Sequence, residues 1–188
     1  AISRNLPILR IGTSLTLGRP INPKAVASER CFRKGRDAGW YCLEKANWPR
    51  HLAKATTDTT GRHRKVETIV RYENGEAVRV YSVIPSTSYM GILKYYTSLL
   101  GPPTQVLTGK LSRLGNTPID NPSTIWTGYT KSGESETLEI RRFDNIRTMI
   151  ASESVGLIRL YRKNSRPIFS YLSDTDLILH QVRNKSIN

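Results

Sequence analysis

Within the seven residues from Arg30 to Arg36 the chain places four cations, Arg30, Arg33, Lys34 and Arg36, just ahead of Gly39-Trp40-Tyr41. Basic groups around two large aromatics can hold an anionic sugar or nucleotide, by ionic contacts together with stacking on the rings. The chain's two cysteines, Cys31 and Cys42, bracket this cluster. As a disulfide they close a loop of about 12 residues, worth roughly 3 kcal/mol of loop-closure entropy. Such a bond persists in an oxidising compartment, whereas two free thiols place the chain in the cytoplasm. With ten residues between them and no histidine pair nearby, they do not make a four-ligand zinc site.

A second basic run, Arg159, Arg162, Lys163 and Arg166, surrounds Tyr161, and a third comprises Arg62, Arg64 and Lys65. The expected binding set is therefore Arg33, Arg36, Trp40 and Tyr41, extended by Arg162 and Lys163. Catalytic chemistry finds less support. His51, His63 and His180 are scattered, and no Gly-x-Ser-x-Gly presents a nucleophile to any of them. Glu134, Glu136 and Glu139 lie on or beside an expected hairpin, where alternation exposes them. Dinucleotide and phosphate-loop patterns are missing, since Gly109-Lys110-Leu111 fails at its third position. No His-Glu-x-x-His and no calcium-loop spacing occur, so the expectation is a protein without cofactor or metal.

The elements that must carry these residues follow from length and pattern. A chain of 188 residues with 38% apolar residues can bury a core, as one domain or two small ones. Its net charge of +14, spread over both halves, attracts nucleic acid, anionic headgroups, acidic polysaccharide or an acidic protein. Apolar runs such as Leu177-Ile178-Leu179 are far too short to span a bilayer. The opening Ala1-Ile2-Ser3-Arg4-Asn5, without initiator methionine or apolar leader, fits either a mature exported chain from which a signal peptide has been removed or a trimmed chain.

Asn22-Pro23 starts a short helix through Glu29, and Trp48 to Ala55 reads as about two helical turns. Two β-rich runs, Val66 to Tyr72 and Ala77 to Ile84, are joined through Asn74-Gly75, a pair suited to a type I′ turn. Alternation puts Val66, Val70 and Tyr72 on one face, continued by Val78 and Val80. The clearest helix runs from Tyr89 to Leu100, with Tyr89, Ile92, Leu93, Tyr96, Leu99 and Leu100 as its apolar stripe, Ser88 as cap and Gly101-Pro102 as stop. Residues 101–123, rich in proline and glycine, read as an irregular connection with one strand through Val106-Leu107. A three-stranded meander follows: Thr124 to Tyr129, Glu136 to Phe143 and Val155 to Tyr161. Finally, Ser173 with Asp176, and Leu172 with Leu177, cap a C-terminal helix to about Val182.

Each half thus reads as helix, irregular stretch and antiparallel strands. The expected fold is α+β: two tandem helix plus antiparallel-sheet units, 1–87 and 88–188, helices packed on the sheets, with a C-terminal helix. The two units can form one compact domain. With Ile11-Gly12-Thr13-Ser14-Leu15 near the start, the paired helices ending near glycine and the strands that follow, this order resembles the periplasmic beta-lactamase-inhibitor proteins. It also resembles the small outer-membrane assembly lipoproteins, which are similar to one repeat. The resemblance implies protein binding without catalysis.

The leading expectation is an exported, periplasmic or extracellular, non-enzymatic binding or accessory protein. Its basic-aromatic surface would contact a protein or an anionic envelope component. An intracellular nucleic-acid-binding protein using Arg33, Lys34, Arg62, Arg64, Arg162 and Lys163 is the alternative, with salt-sensitive affinity. A small hydrolase with its site in 101–123 and His51 or His180 is the third.

Overall fold

The computed structural model describes residues 7–52, 68–130, 132–146, 153–170, 172–173 and 175–177. The molecule is organised on one antiparallel sheet of eight strands. These are β1 (Cys31–Phe32), β2 (Trp40–Glu44), β3 (Thr68–Glu73), β4 (Glu76–Pro85), β5 (Gln105–Leu107), β8 (Ser123–Tyr129), β9 (Ser135–Arg141) and β10 (Val155–Arg162). Their spatial order is β1-β2-β3-β4-β10-β9-β8-β5. β6 (Lys110–Arg113) and β7 (Asn116–Asp120) pair as a separate hairpin. Helix α1 spans Pro23–Ala27 and helix α2 spans Tyr89–Leu100.

Local signals account for most of these elements. Asn22 caps α1 by accepting from the Lys24 amide, with Pro23 in the first turn. Asn74 and Gly75 take positive φ, 51° and 78°, and turn β3 into β4. α2 buries Tyr89, Ile92 and Tyr96 and ends at Gly101, whose φ of 81° suits glycine. Ser88 makes no side-chain cap there, because it closes a short 3-10 turn instead, and Leu99 stays exposed, so the buried stripe is narrower than expected. Past Pro167, Ser173 and Asp176 exchange amide-to-side-chain bonds of 2.8 and 3.3 Å, the reciprocal cap read from the sequence. Residues 101–123, expected to be irregular, contain both β5 and the β6–β7 hairpin.

The tandem architecture is overturned. Instead of two helix-sheet units there is a mostly antiparallel sheet running through both halves: β4 pairs with β3 on one side and with β10 on the other, from Val155 opposite Pro85 to Tyr161 opposite Arg79. The physical reason lies in the helices. α1 is five residues long and buries none of them, so it cannot cover a sheet of its own. The long helix α2 covers strands from both halves: Tyr89, Ile92 and Tyr96 share a core with Val70, Tyr72, Ala77 and Val80, and with Trp126, Leu138, Ile140, Ile158 and Leu160. Leu9, Ile11 and Leu15 complete this core from the N-terminal segment.

Register adds a smaller correction. A shift between Arg71 and Tyr72 sets Tyr72 opposite Ala77, so Ala77 and Val80, rather than Val78 and Val80, join the core under α2. The far side of the sheet holds a second core of Tyr41, Leu43, Ile69, Tyr81 and Leu157, closed by Ile168, Leu172 and Leu177 of the C-terminal segment. The basic turn Arg62 to Lys65 with His63, the helix beyond Leu52, His180 and the helix beyond Leu177 lie outside the described residues.

Candidate functional site

β4 and β10 repeat one pattern, arginine-aliphatic-tyrosine: Arg79-Val80-Tyr81 and Arg159-Leu160-Tyr161. Alternation sends the aliphatic residue to the α2 side and the arginine and tyrosine to the far side. Because the strands are antiparallel, with Arg79 opposite Tyr161 and Tyr81 opposite Arg159, the two patterns interlock as a square of two guanidiniums and two phenols. The Arg79 guanidinium lies 4.5 Å, and that of Arg159 5.1 Å, from the Tyr161 ring centre. The Tyr81 hydroxyl donates to buried Asp144.

Across the next strand pair Arg79 faces Arg71 of β3. Two like charges directly opposite each other oppose sheet pairing, and the surroundings compensate them unequally. Arg71, 2% exposed, donates to both Asp37 oxygens at 2.6 and 2.8 Å, to Glu73 at 2.9 Å and to the Tyr41 hydroxyl at 2.6 Å. Burial works against its charge, but the bonds to Asp37 and Glu73 outweigh burial and hold its pKa above the ordinary arginine value. The reciprocal bond from Arg71, ahead of burial, holds the Asp37 carboxyl well below the usual carboxylate range. Close packing leaves no room at Gly39, where a Cβ would stand 2.6 Å from the Arg71 guanidinium.

Arg79 is held differently. It is 8% exposed and donates from Nε and Nη2 to the hydroxyl and carbonyl of Ser165, at 3.2 and 3.1 Å. No carboxylate pairs with it among the described residues. Burial, and next the charge of Arg159, push its pKa down to about 10. Arg159 donates from Nε to Glu139 at 2.5 Å, and Glu139 also accepts from Arg141 at 2.6 and 3.1 Å. Burial opposes ionisation of Glu139, yet Arg159 and Arg141 prevail and hold its pKa below the ordinary glutamate value.

The stretch from Pro167 to Ser170 crosses this square and leaves a cleft of about 150 Å³. Arg79, Tyr81 and Arg159 line its sheet side, while Pro167, Ile168 and Phe169 form the facing wall. Phe169 stands edge-on to Tyr81 with ring centres 4.7 Å apart. One wall is therefore cationic and the other apolar.

The residues singled out by sequence fall elsewhere. Trp40 and Tyr41 are consecutive on β2 and point to opposite sides, so they do not share one contact face. Half-buried Trp40 packs against the α2-side core under the Arg33 guanidinium, 4.4 Å from its ring. Tyr41 is fully buried in the Arg71 and Asp37 network, and burial first of all pushes its hydroxyl up to about 12. Arg162 bridges Glu76 and Glu134, whereas Arg36 and Lys163 are exposed. Lys34 pairs with Asp176 and so ties the cysteine loop to the C-terminal segment. Glu136 and Glu139, expected to be exposed, are both buried, because each side of this sheet is covered. His51 makes an edge contact with Tyr95.

The Cys31–Cys42 disulfide is formed, with the two residues directly opposite each other on β1 and β2 and Cα atoms 4.0 Å apart. That is compatible with an oxidising compartment. Among the described residues no helix is long and apolar enough to cross a membrane. Comparison with known protein families, curated proteins and solved structures finds no match. Arg79 and Tyr81 are not among the residues expected from the sequence to bind. The signal that would have found them is the repeated arginine-x-tyrosine in two strands, which alternation commits to one sheet face.

Proposed function

We propose that this chain is an exported, non-enzymatic binding or accessory protein that takes an anionic group of a protein or envelope partner into the cleft between Arg79 and Arg159. The observation that carries this reading is the buried Arg79 guanidinium, which lines an open cleft beside a second guanidinium and lacks a carboxylate among the described residues. A buried charge without a counter-ion is costly, and an incoming anion supplies the missing partner through charge-assisted bonds. Arg33, Arg36 and Lys163, all exposed, add long-range attraction to the same class of partner. The disulfide supports the exported setting.

Thermal unfolding in chloride, acetate and phosphate at equal ionic strength tests the reading on the wild-type chain and on Arg79→Met. Methionine keeps the length of the side chain and removes the like charge opposite Arg71, so the variant is expected to fold at least as stably as the wild type in chloride. Acetate or phosphate should raise the wild-type Tm above its chloride value and leave that of Arg79→Met unmoved. Identical Tm values for the wild type in all three anions would refute an anion site.

A further inference from the structure

We infer that the ligand of this cleft is a carboxylate carried on a small aromatic ring. The inference rests on the anion-binding reading above and adds the chemistry of the rest of the ligand. Three features select it. First, donors remain on the sheet side, which Arg79 and Arg159 both line: with Nε and Nη2 of Arg79 held by Ser165 and Nε of Arg159 held by Glu139, Arg79 Nη1 and both terminal nitrogens of Arg159 have no acceptor among the described residues. A carboxylate offers two oxygens, one for the single nitrogen left on Arg79 and one for the terminal nitrogens of Arg159. Second, the opposite wall is mainly apolar, formed by Pro167, Ile168 and Phe169, with Ile146 and Ser170 also lining the cleft. A bare inorganic anion would lose hydration against the apolar part of that wall, whereas a ring buries its apolar surface there beside Phe169. Third, about 150 Å³ is the size of cavity that admits one six-membered aromatic ring.

The orientation follows. The carboxylate sits between Arg79 and Arg159, and the ring lies toward Phe169. Arg79, held by Ser165 and only 8% exposed, is already largely desolvated before the ligand arrives. Its bonds to a carboxylate therefore form in a site of low dielectric, where they are stronger than in water.

The test is calorimetric titration of the intact, disulfide-bonded chain with benzoate, acetate and benzyl alcohol, paired with thermal unfolding. Benzoate is expected to bind at least about tenfold tighter than acetate, since the buried ring contributes what acetate lacks. Benzyl alcohol, with the ring and no charge, should show no binding in the same range. At about ten times its Kd, benzoate should raise Tm by roughly 3–5 °C for a chain of this size. Phe169→Ala should weaken benzoate about tenfold and change acetate by less than twofold, and Arg79→Met should abolish the benzoate shift. Equal affinities of benzoate and acetate on the wild-type chain would overturn the aromatic assignment while leaving an anion site standing. Binding of benzyl alcohol alone, with no response to either carboxylate, would overturn both readings.

Discussion

Removing the Asp37 carboxylate while keeping its shape, Asp37→Asn, isolates the interaction that lets Arg71 occupy the sheet interior. Arg71 is 2% exposed, the Asp37 side chain 9%, and their two bonds measure 2.6 and 2.8 Å. Breaking one partner of a buried pair costs about 3–5 kcal/mol, because the other charge stays behind without compensation. Glu73 and Tyr41 still contact Arg71 in the variant and soften the loss, so the expected cost is about 3 kcal/mol, the lower end. Arg71→Met should cost a similar amount by stranding Asp37. The double variant removes both charges together with the like-charge opposition to Arg79, and should lose about 2 kcal/mol less than the sum of the single changes. Urea unfolding of the four proteins at neutral pH reads this coupling directly. The acid limb supplies an independent check. Because the folded Asp37 carboxyl lies below its unfolded value of about 3.9, its contribution is fully present above that pH and is lost as pH falls through the folded value. The wild type should therefore lose stability more steeply below about pH 4 than the double variant does. A cost for Asp37→Asn under about 1 kcal/mol, or additive single changes, would refute the claim that this pair compensates Arg71.

Two further perturbations probe what holds the sheet. Replacing both cysteines by serine should cost about 3 kcal/mol in urea unfolding, from the entropy of a loop of about 12 residues, and equal midpoints for the disulfide-bonded and cysteine-free chains would contradict it. Tyr96→Phe removes a fully buried hydroxyl that accepts from the Gly12 amide at 3.0 Å and donates to the Arg10 carbonyl at 2.9 Å. Leaving the Gly12 amide unsatisfied should cost about 1–3 kcal/mol, seen as a lower thermal midpoint, and an unchanged midpoint would show that this bond does not anchor the N-terminal segment.

Local elements were legible where one stretch of chain carries its own reason to form. Asn22-Pro23, Asn74-Gly75, the Tyr89 stripe and the Ser173–Asp176 cap each act through neighbours a few residues away, and all four are present in the structure. The disulfide was legible for the same reason, since ten intervening residues allow its closure. The β6–β7 hairpin was not: with Pro118 and Asn116 its strands lack the alternation that announces one. The candidate site was legible only in its ingredients. Arg159, Tyr161 and the idea of arginine against aromatic were readable, but the choice of the cysteine loop as the place followed charge density along the chain.

The sequence by itself determined which residues alternate, where turns and caps fall, that two cysteines can close a short loop, and that the surface is cationic. Only the tertiary structure decided that β4 pairs with β10 and joins both halves in one sheet, that Trp40 and Tyr41 face opposite ways, and that Arg79 lies buried opposite Arg71 and Tyr161. The reason is physical: a strand's pattern specifies which side chains share a face, but the hydrogen bonds at its edges are the same for any partner. Partner choice is settled by which apolar surfaces one long helix can cover at once, and that choice brings two distant arginine-x-tyrosine patterns opposite each other.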